Sequence, residues 1–222
     1  RVSSDARPTY GSVLSNLNAS ISALDANLSV PGCWAYLDML ELGVTNTQLA
    51  GGAKNNCGPD REQTCPPLTY LESQTHFGAW SILSSPLTLG FDLSDTAQMG
   101  MHLPTISNRD AIEINQDYAG FSGSRFAQSE DLVEFPACGW GASYPGRTNA
   151  SCAWPRTFSL YKPLSARDPR GSVMAVLLMN NGNDPAALGF EWEDVPGLGR
   201  VAGIGDHGCQ VYDVWKRSSL GR

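Results

Sequence analysis

Short apolar runs alternate, in the first half of the chain, with longer stretches whose apolar residues recur at helical spacing. Residues 10–24 carry apolar side chains three or four positions apart, which predicts a helix. After the break at Pro31-Gly32, residues 34–40 form a short apolar run, which predicts a buried strand.

The same order repeats further along the chain. A helix is predicted to begin at Leu68 or Thr69 and to end at Pro86, with Glu72 in the first turn, where the helix dipole favours an acid. A strand is predicted at 87–91, and helices at 96–101 and 108–114. Strands that alternate with helices in this way predict a parallel sheet.

The pattern changes near residue 124. Strand-like segments at 157–161, 173–179, 188–192 and 210–215 are separated by turn residues, which predicts an antiparallel β domain. We therefore predict an α/β domain over residues 1–122 and an antiparallel β domain over residues 123–222.

Composition narrows the classes of function. The chain has 222 residues, 41% of them hydrophobic, which is enough for a sizeable core. A net charge of −7 argues against a nucleic-acid partner, because phosphate binding needs clustered Lys and Arg. No apolar run reaches the roughly 18 residues of a membrane span.

Cysteines and glycosylation sequons predict an oxidising compartment, either secreted/extracellular or vacuolar/lysosomal. Cys57 and Cys65 flank one polar loop, and Cys138 and Cys152 flank another, so each pair is a candidate disulfide. Cys33 is expected to be disulfide-bonded or buried. The candidate glycosylation sites are Asn18, Asn27 and Asn149.

The histidines lie far from the cysteine pairs, so no metal site is predicted, and no other cofactor is implied. His76 falls on the apolar helix and is expected to be a core histidine with its hydrogen bonds satisfied. The long polar segment 43–67 is expected to shape a pocket entrance or an interface, and the sequence leaves both open.

Carboxylates near the predicted strand ends are the candidate chemistry: Asp5, Asp38 and Asp92. Hydrolysis of a glycosidic bond typically needs two carboxyl groups, one that attacks or activates water and one that protonates the leaving oxygen. Sequence spacing does not establish that two of them meet. We expect Asp92 to be structural.

Several motifs resemble glycoside hydrolase family 27, the α-galactosidases or melibiases. The family motif Trp-Asn-Asp-Pro-Asp-Met-Leu corresponds to residues 34–40, where Trp34, Asp38, Met39 and Leu40 match and the Asn-Asp-Pro core is replaced by Ala-Tyr-Leu. Residues 1–5 fit a family pattern in which an Arg stands four positions before an Asp. Residues 107–117 and 212–215 are similar to two later motifs, in the family's order.

The resemblance implies a fold and a set of roles. Residues 1–122 would be the last strands and helices of a (β/α)8 TIM barrel, and residues 123–222 a β-sandwich domain that continues beyond this chain. Asp5 would be the general acid/base and Arg1 a ligand near the sugar 2-hydroxyl. Asp38, Met39 and Trp34 would line the sugar pocket. Residues 115–117 would close the barrel bottom or the domain junction.

The family's nucleophile, the Asp of a Lys-x-Asp-x-Cys segment, has no match in this chain. Residues 1–122 supply only part of a barrel, which usually takes about 250 residues and can exceed about 400 with insertions, so we expect roughly 200 more residues upstream. We therefore expect an upstream segment of the same polypeptide, or a second chain, to complete the barrel and to supply the nucleophile.

The resemblance implies a retaining α-galactosidase that hydrolyses terminal α-galactosides by double displacement. The alternative is a catalytically inactive extracellular structural or carbohydrate-binding protein on a glycosidase scaffold, which the altered 35–37 core favours. A sister glycosidase acting on N-acetylgalactosamine or arabinopyranose also stays open.

Overall fold

A computed structural model describes residues 2–45, 66–135, 152–165, 173–198 and 209–221, together with the backbone of 56–57 and 63–64. Arg1, Cys65, Cys138 and Asn149 therefore lie outside the described residues. The expectations for these four positions stay predictions.

The described ranges contain four α-helices: α1 (Tyr10–Asp25), α2 (Tyr70–Ile82), α3 (Thr96–Ile106) and α4 (Arg109–Gln116). Each predicted helix is confirmed, although α3 continues five residues beyond its predicted end and accommodates Pro104. Capping explains where they begin. Thr69 and Glu72 form a reciprocal capping box at α2, and the side chains of Asp95 and Asn108 accept N–H groups of the first turns of α3 and α4.

The strands predicted at 34–40 and 87–91 are reduced to one parallel bridge between Leu40 and Leu89. Around this bridge, Leu40 N–H donates to Thr88 O at 2.8 Å and Gly90 N–H donates to Leu40 O at 3.0 Å. Asp38 has φ +84°, which interrupts the extended backbone and explains why no regular strand forms. The parallel direction is nevertheless the predicted one.

The second half contains antiparallel strands, as predicted. A three-stranded sheet has the order β3 (Ser124–Gln128), β6 (Thr157–Leu164), β7 (Val173–Asn180). Two pairs accompany it: β4 (Leu132–Phe135) with β5 (Cys152–Pro155), and β8 (Val211–Asp213) with β9 (Ser218–Gly221). A further pair, β1 (Asn56–Cys57) with β2 (Gln63–Thr64), lies within the 43–67 segment.

One predicted strand is wrong. Residues 188–192 form no strand, and Trp192–Asp194 form a 3-10 helix instead. The Asp194 N–H donates to Glu191 O at 3.0 Å, so the chain turns where the apolar pattern suggested an extended run. Trp192 still packs edge-to-face on Phe190, which contacts Phe126 of β3 in the same way.

Within the described residues, one continuous hydrophobic core joins the two halves. Helices α1 and α2 contribute Val13, Leu17 and Trp80, and the β sheet contributes Phe158 and Leu160, all of them fully buried. The mixture of helices and antiparallel sheets agrees with the predicted fold class. Because the core is continuous, the β sheet supports the segments that carry the candidate site.

Three cysteines have a described bonding state. Cys152 at the start of β5 is disulfide-bonded, whereas Cys33 and Cys209 are free. The expectation for Cys33 is wrong, because its thiol is free and the residue is exposed in the turn that joins Val30 to Cys33. The pairings of Cys57 with Cys65 and of Cys138 with Cys152 stay predictions. Among the described residues, no helix combines the length and the apolar character needed to cross a bilayer.

Candidate active site

Asp38 lies at the centre of a set of long-range hydrogen bonds. Its residue is 7% exposed, and its carboxylate Oδ2 accepts the N–H of Ala6 at 2.6 Å. Its main-chain oxygen accepts the indole Nε1–H of Trp80 at 2.8 Å. These bonds hold Asp38 in the left-handed region of backbone space, which a residue other than glycine rarely adopts.

The segment that carries Asp5 lies beside the Asp38 segment. Val2 N–H donates to Tyr36 O at 3.2 Å. The buried side chain of Asn16 in α1 donates to Ser4 O and to Leu37 O, each at 3.0 Å. Asp5 itself is exposed to solvent, and the next residue along the chain donates its N–H to the Asp38 carboxylate. The structure therefore brings Asp5 and Asp38 into neighbouring positions on adjacent segments.

Trp34 and Met39 are partly open to solvent, at 38% and 39% exposure. The Trp34 ring packs edge-to-face on Tyr118, with 5.6 Å between ring centroids. Two large apolar side chains on this segment are thus available for contact with a ligand. Their predicted contact with a sugar stays a prediction.

Glu41 is a functional candidate that sequence reasoning missed. It is 7% exposed, and burial, followed by the charge of Asp38, raises the pKa of its carboxyl to about 8. The only sign of this in the sequence is that Glu41 is an acid between two leucines, Leu40 and Leu42, both of which are fully buried in the structure. Pairs of carboxyls in environments that separate their protonation are typical of acid/base sites.

The pKa of Glu41 predicts how stability depends on pH. The folded chain keeps this proton up to pH of about 8, whereas the unfolded chain releases it near 4.5. Because the folded state binds more protons between these values, its free energy of unfolding should fall as the pH rises through this window. Glu41→Gln should reduce that fall, and Glu130→Gln, at an exposed position, should not. Urea unfolding at both ends of the window measures this, and parallel profiles for wild type and Glu41→Gln would contradict it.

The other carboxylate of the sequence analysis has a structural role. The Asp92 carboxylate accepts the N–H and the hydroxyl of Ser94, at 2.8 and 2.7 Å, and these hydrogen bonds lower its pKa. This turn leads into α3. Asp92 is exposed, and its hydrogen bonds to Ser94 agree with the structural role expected for it.

His76 is buried in α2 as predicted, but its hydrogen bonds are not satisfied. Its ring packs edge-to-face on Trp80 at 4.1 Å, and neither ring nitrogen has a hydrogen-bond partner in the described part of the chain. Burial lowers its pKa to about 3, so the ring is neutral. The described residues contain no group of three His, Cys, Asp or Glu side chains placed to hold a metal ion.

Two glycosylation candidates differ in their surroundings. Asn27 is exposed just beyond α1, whereas Asn18 is half-buried within α1 and its Oδ1 accepts Arg125 Nη1–H at 3.1 Å. The sequon hydroxyls do not separate the two sites, because Ser20 and Ser29 are both fully buried, so the difference lies in the asparagines. Of the two, Asn27 is the more accessible to modification of the folded chain.

A cavity of about 870 Å³ lies elsewhere, between α2, α4, β7 and the segment around Trp215. Neither Asp5 nor Asp38 lines it. Three acids line it, Asp110, Glu113 and Asp117. Asp110 accepts hydrogen bonds from Tyr212 Oη at 3.1 Å and from Arg217 Nε at 3.2 Å, and Asp117 accepts them from the N–H and the hydroxyl of Ser165. The Asp5 and Asp38 segments carry the predicted motifs and meet through a hydrogen bond, so their neighbourhood is the better candidate for acid/base chemistry.

Comparisons with known proteins find similarity to α-galactosidases. No protein-family model matches the chain. The α-galactosidase D of Emericella nidulans is 32% identical over 124 residues, which are 56% of this chain and 15% of that protein. A probable α-galactosidase B of Talaromyces emersonii is 28% identical over 232 residues, which cover 100% of this chain and 40% of that protein.

A solved structure shows the same fold. The α-galactosidase of Saccharomyces cerevisiae, determined with raffinose, superposes with a TM-score of 0.60 at 19% identity, over 97% of this chain and 43% of that one. The chain thus spans less than half the length of each of these three proteins. The predicted resemblance is confirmed: the chain is similar in sequence to α-galactosidases and shares their fold over part of their length.

Proposed function

We propose that this chain is part of a retaining α-galactosidase that hydrolyses terminal α-galactosides. The observation that carries the proposal is the hydrogen bond from Ala6 N–H to the Asp38 carboxylate, which sets Asp5 next to a buried carboxylate. Similarity to α-galactosidases supports the choice of substrate. Residues 1–122 would contribute the last strands and helices of the barrel, and residues 123–222 most of the β-sandwich domain.

The mechanism is double displacement. An Asp of an upstream segment attacks the anomeric carbon while Asp5 protonates the leaving oxygen, and Asp5 then takes a proton from the water that releases the sugar. The exposure of Asp5 suits both steps, because the proton must pass to the leaving group and return from water. Arg1 would contact the sugar near its 2-hydroxyl.

The buried carboxyls would define the pocket wall. Asp38 and Met39 would face the sugar, with the Trp34 ring beside them. Glu41 holds its proton up to pH of about 8, so this cluster avoids placing two negative charges side by side. A disulfide at Cys152 supports a secreted or vacuolar location, since such bonds persist in oxidising compartments.

The stereochemistry of the first product tests the proposal. Proton NMR of a reaction with an α-galactoside should show α-galactose first, followed by slow mutarotation, because two displacements retain configuration. β-Galactose as the first product would overturn the mechanism. Parallel assays of α-N-acetylgalactosaminide and β-arabinopyranoside would identify a sister specificity.

One observation favours the inactive alternative. The polar Asn-Asp-Pro core of the family motif is replaced by Ala35, Tyr36 and Leu37, and the side chains of Ala35 and Leu37 offer no hydrogen-bonding group to a sugar. In that case the native polypeptide should bind an α-galactoside and leave it intact. Equilibrium dialysis with a radiolabelled α-galactoside, followed by chromatography of the recovered ligand, distinguishes binding from turnover.

A further inference from the structure

A buried lysine connects the β sheet to helix α4. Lys162 of β6 is fully buried, and its ammonium donates to the main-chain oxygen atoms of Ile114 and Asn115, the latter at 3.0 Å. These carbonyls belong to the last turn of α4, where a cation is favoured by the helix dipole. Burial is costly for an ammonium and lowers the pKa of Lys162 to about 8, so the site must hold the charge through these hydrogen bonds.

Asn115 continues the connection to the end of α2. Its side-chain Nδ2 donates to Trp80 O at 3.2 Å and to Ser85 O at 2.8 Å. Ser85 N–H donates to Trp80 O as well, at 3.1 Å, so Asn115 joins a turn that is already closed. The Asn115 side chain thus holds the main-chain oxygen atoms of Trp80 and Ser85, where α2 ends.

Trp80 and Ser85 both form hydrogen bonds to the segment that carries Asp38. The indole of Trp80 donates to Asp38 O at 2.8 Å, and Leu37 N–H donates to Ser85 Oγ at 3.2 Å. The two hydrogen bonds hold consecutive residues, and Asp38 is the one with φ +84°. A backbone in that region needs surrounding contacts to hold it, since it relaxes once they are lost.

We propose that Lys162 and Asn115 are positioning residues that hold Asp38 in its left-handed conformation through Trp80 and Ser85. The proposal rests on the proposed function, because it assigns to the β sheet a role in shaping the sugar pocket. Their effect passes through residues that each take part in successive hydrogen bonds. Lys162 Nζ holds the main chain of Asn115, and the Asn115 side chain holds the main-chain oxygen atoms of Trp80 and Ser85. The side chains of Trp80 and Ser85 in turn bond the main chain of Asp38 and Leu37.

The first test reads the site without activity. Lys162→Met keeps the aliphatic stem and removes the ammonium, and Asn115→Ala is a milder variant that removes Nδ2. In 15N-labelled native polypeptide, each should speed hydrogen exchange at the Trp80 indole N–H roughly tenfold or more, while exchange at Trp215 changes less. Lys216→Met, at an exposed lysine of the same half, is the matched control and should leave Trp80 unchanged. Trp80→Phe assigns the resonance.

The second test uses turnover. Lys162→Met and Trp80→Phe should each lower kcat for an α-galactoside roughly tenfold, and the double variant should lose little more than either alone, because both act on one chain of bonds. Lys162→Arg, which can donate to the same carbonyls, should recover part of the loss. Additive losses, or unchanged indole exchange in both Lys162→Met and Asn115→Ala, would overturn the inference. A native polypeptide with no turnover would refute the proposed function, and the indole exchange would still decide the role of Lys162 and Asn115.

Discussion

Replacing Asp5 with Asn is expected to lower turnover of an α-galactoside by about 10²-fold or more, the range typical of a lost general acid/base. The amide keeps the shape of the side chain and loses its titratable proton. Asp5 is exposed, and its segment is held by the bonds of Val2 and Ser4 to the neighbouring residues, so the substitution should leave the fold intact. Steady-state kinetics of the native polypeptide measure the effect.

Two further results separate an acid/base role from a general loss of structure. Cleavage of an aryl galactoside with a strongly acidic phenol as leaving group should suffer less, because that oxygen needs little protonation. Azide, a nucleophile that needs no general base, should restore turnover of the Asp5→Asn enzyme. Asp184→Asn, in the exposed turn after β7, should retain full activity as the control. Full activity in Asp5→Asn would remove Asp5 from the mechanism.

Among the glycines that the structure describes, Gly123 is expected to be the one whose replacement with Ala destabilises the fold most, at roughly 4 kcal/mol. Gly123 has φ +93°, and a Cβ there would lie 2.1 Å from Ile82 O and 3.1 Å from Tyr161 O. Backbone strain of about 1–3 kcal/mol would add to overpacking of about 1–3 kcal/mol, because the atoms in the way are main-chain atoms of two different elements. Gly123 therefore fixes how the end of α2 meets β6.

Gly120 provides the matched control for this substitution. It has nearly the same backbone angle, φ +91°, and a Cβ there meets nothing within 4 Å. Gly120→Ala should consequently cost only about 1 kcal/mol, the backbone part of the effect. Urea unfolding of both variants measures the difference, and equal losses would show that the close approach of Ile82 to Gly123 does not determine stability.

The helices could be predicted because their signals are local. Residues 10–24 repeat apolar side chains at helical spacing, and Thr69 with Glu72 forms a capping box within four residues. The antiparallel strands β6 and β7 were equally readable from short apolar segments between turns. In each case the residues that determine the structure are close together in the sequence.

The candidate site was only partly predictable because its determinants are far apart in the sequence. Asp38 is held at a positive φ by Ala6 and Trp80, which lie far from it in the sequence. The local pattern of residues 34–40 does not show these partners, so it predicted a regular strand. The protonation of Glu41 depends on burial, which periodicity does not reveal. Lys162 had a readable signal, since it follows Phe158 and Leu160 on the inward face of β6.

We expect protein purified from its natural source to hydrolyse a chromogenic α-galactoside, assayed with an α-N-acetylgalactosaminide in parallel. Turnover of the α-galactoside should co-purify with this chain, because Asp5 and an upstream nucleophile would then act in one site. Folded protein that cleaves neither substrate at acidic or neutral pH would refute the proposed function and favour the binding or structural alternative.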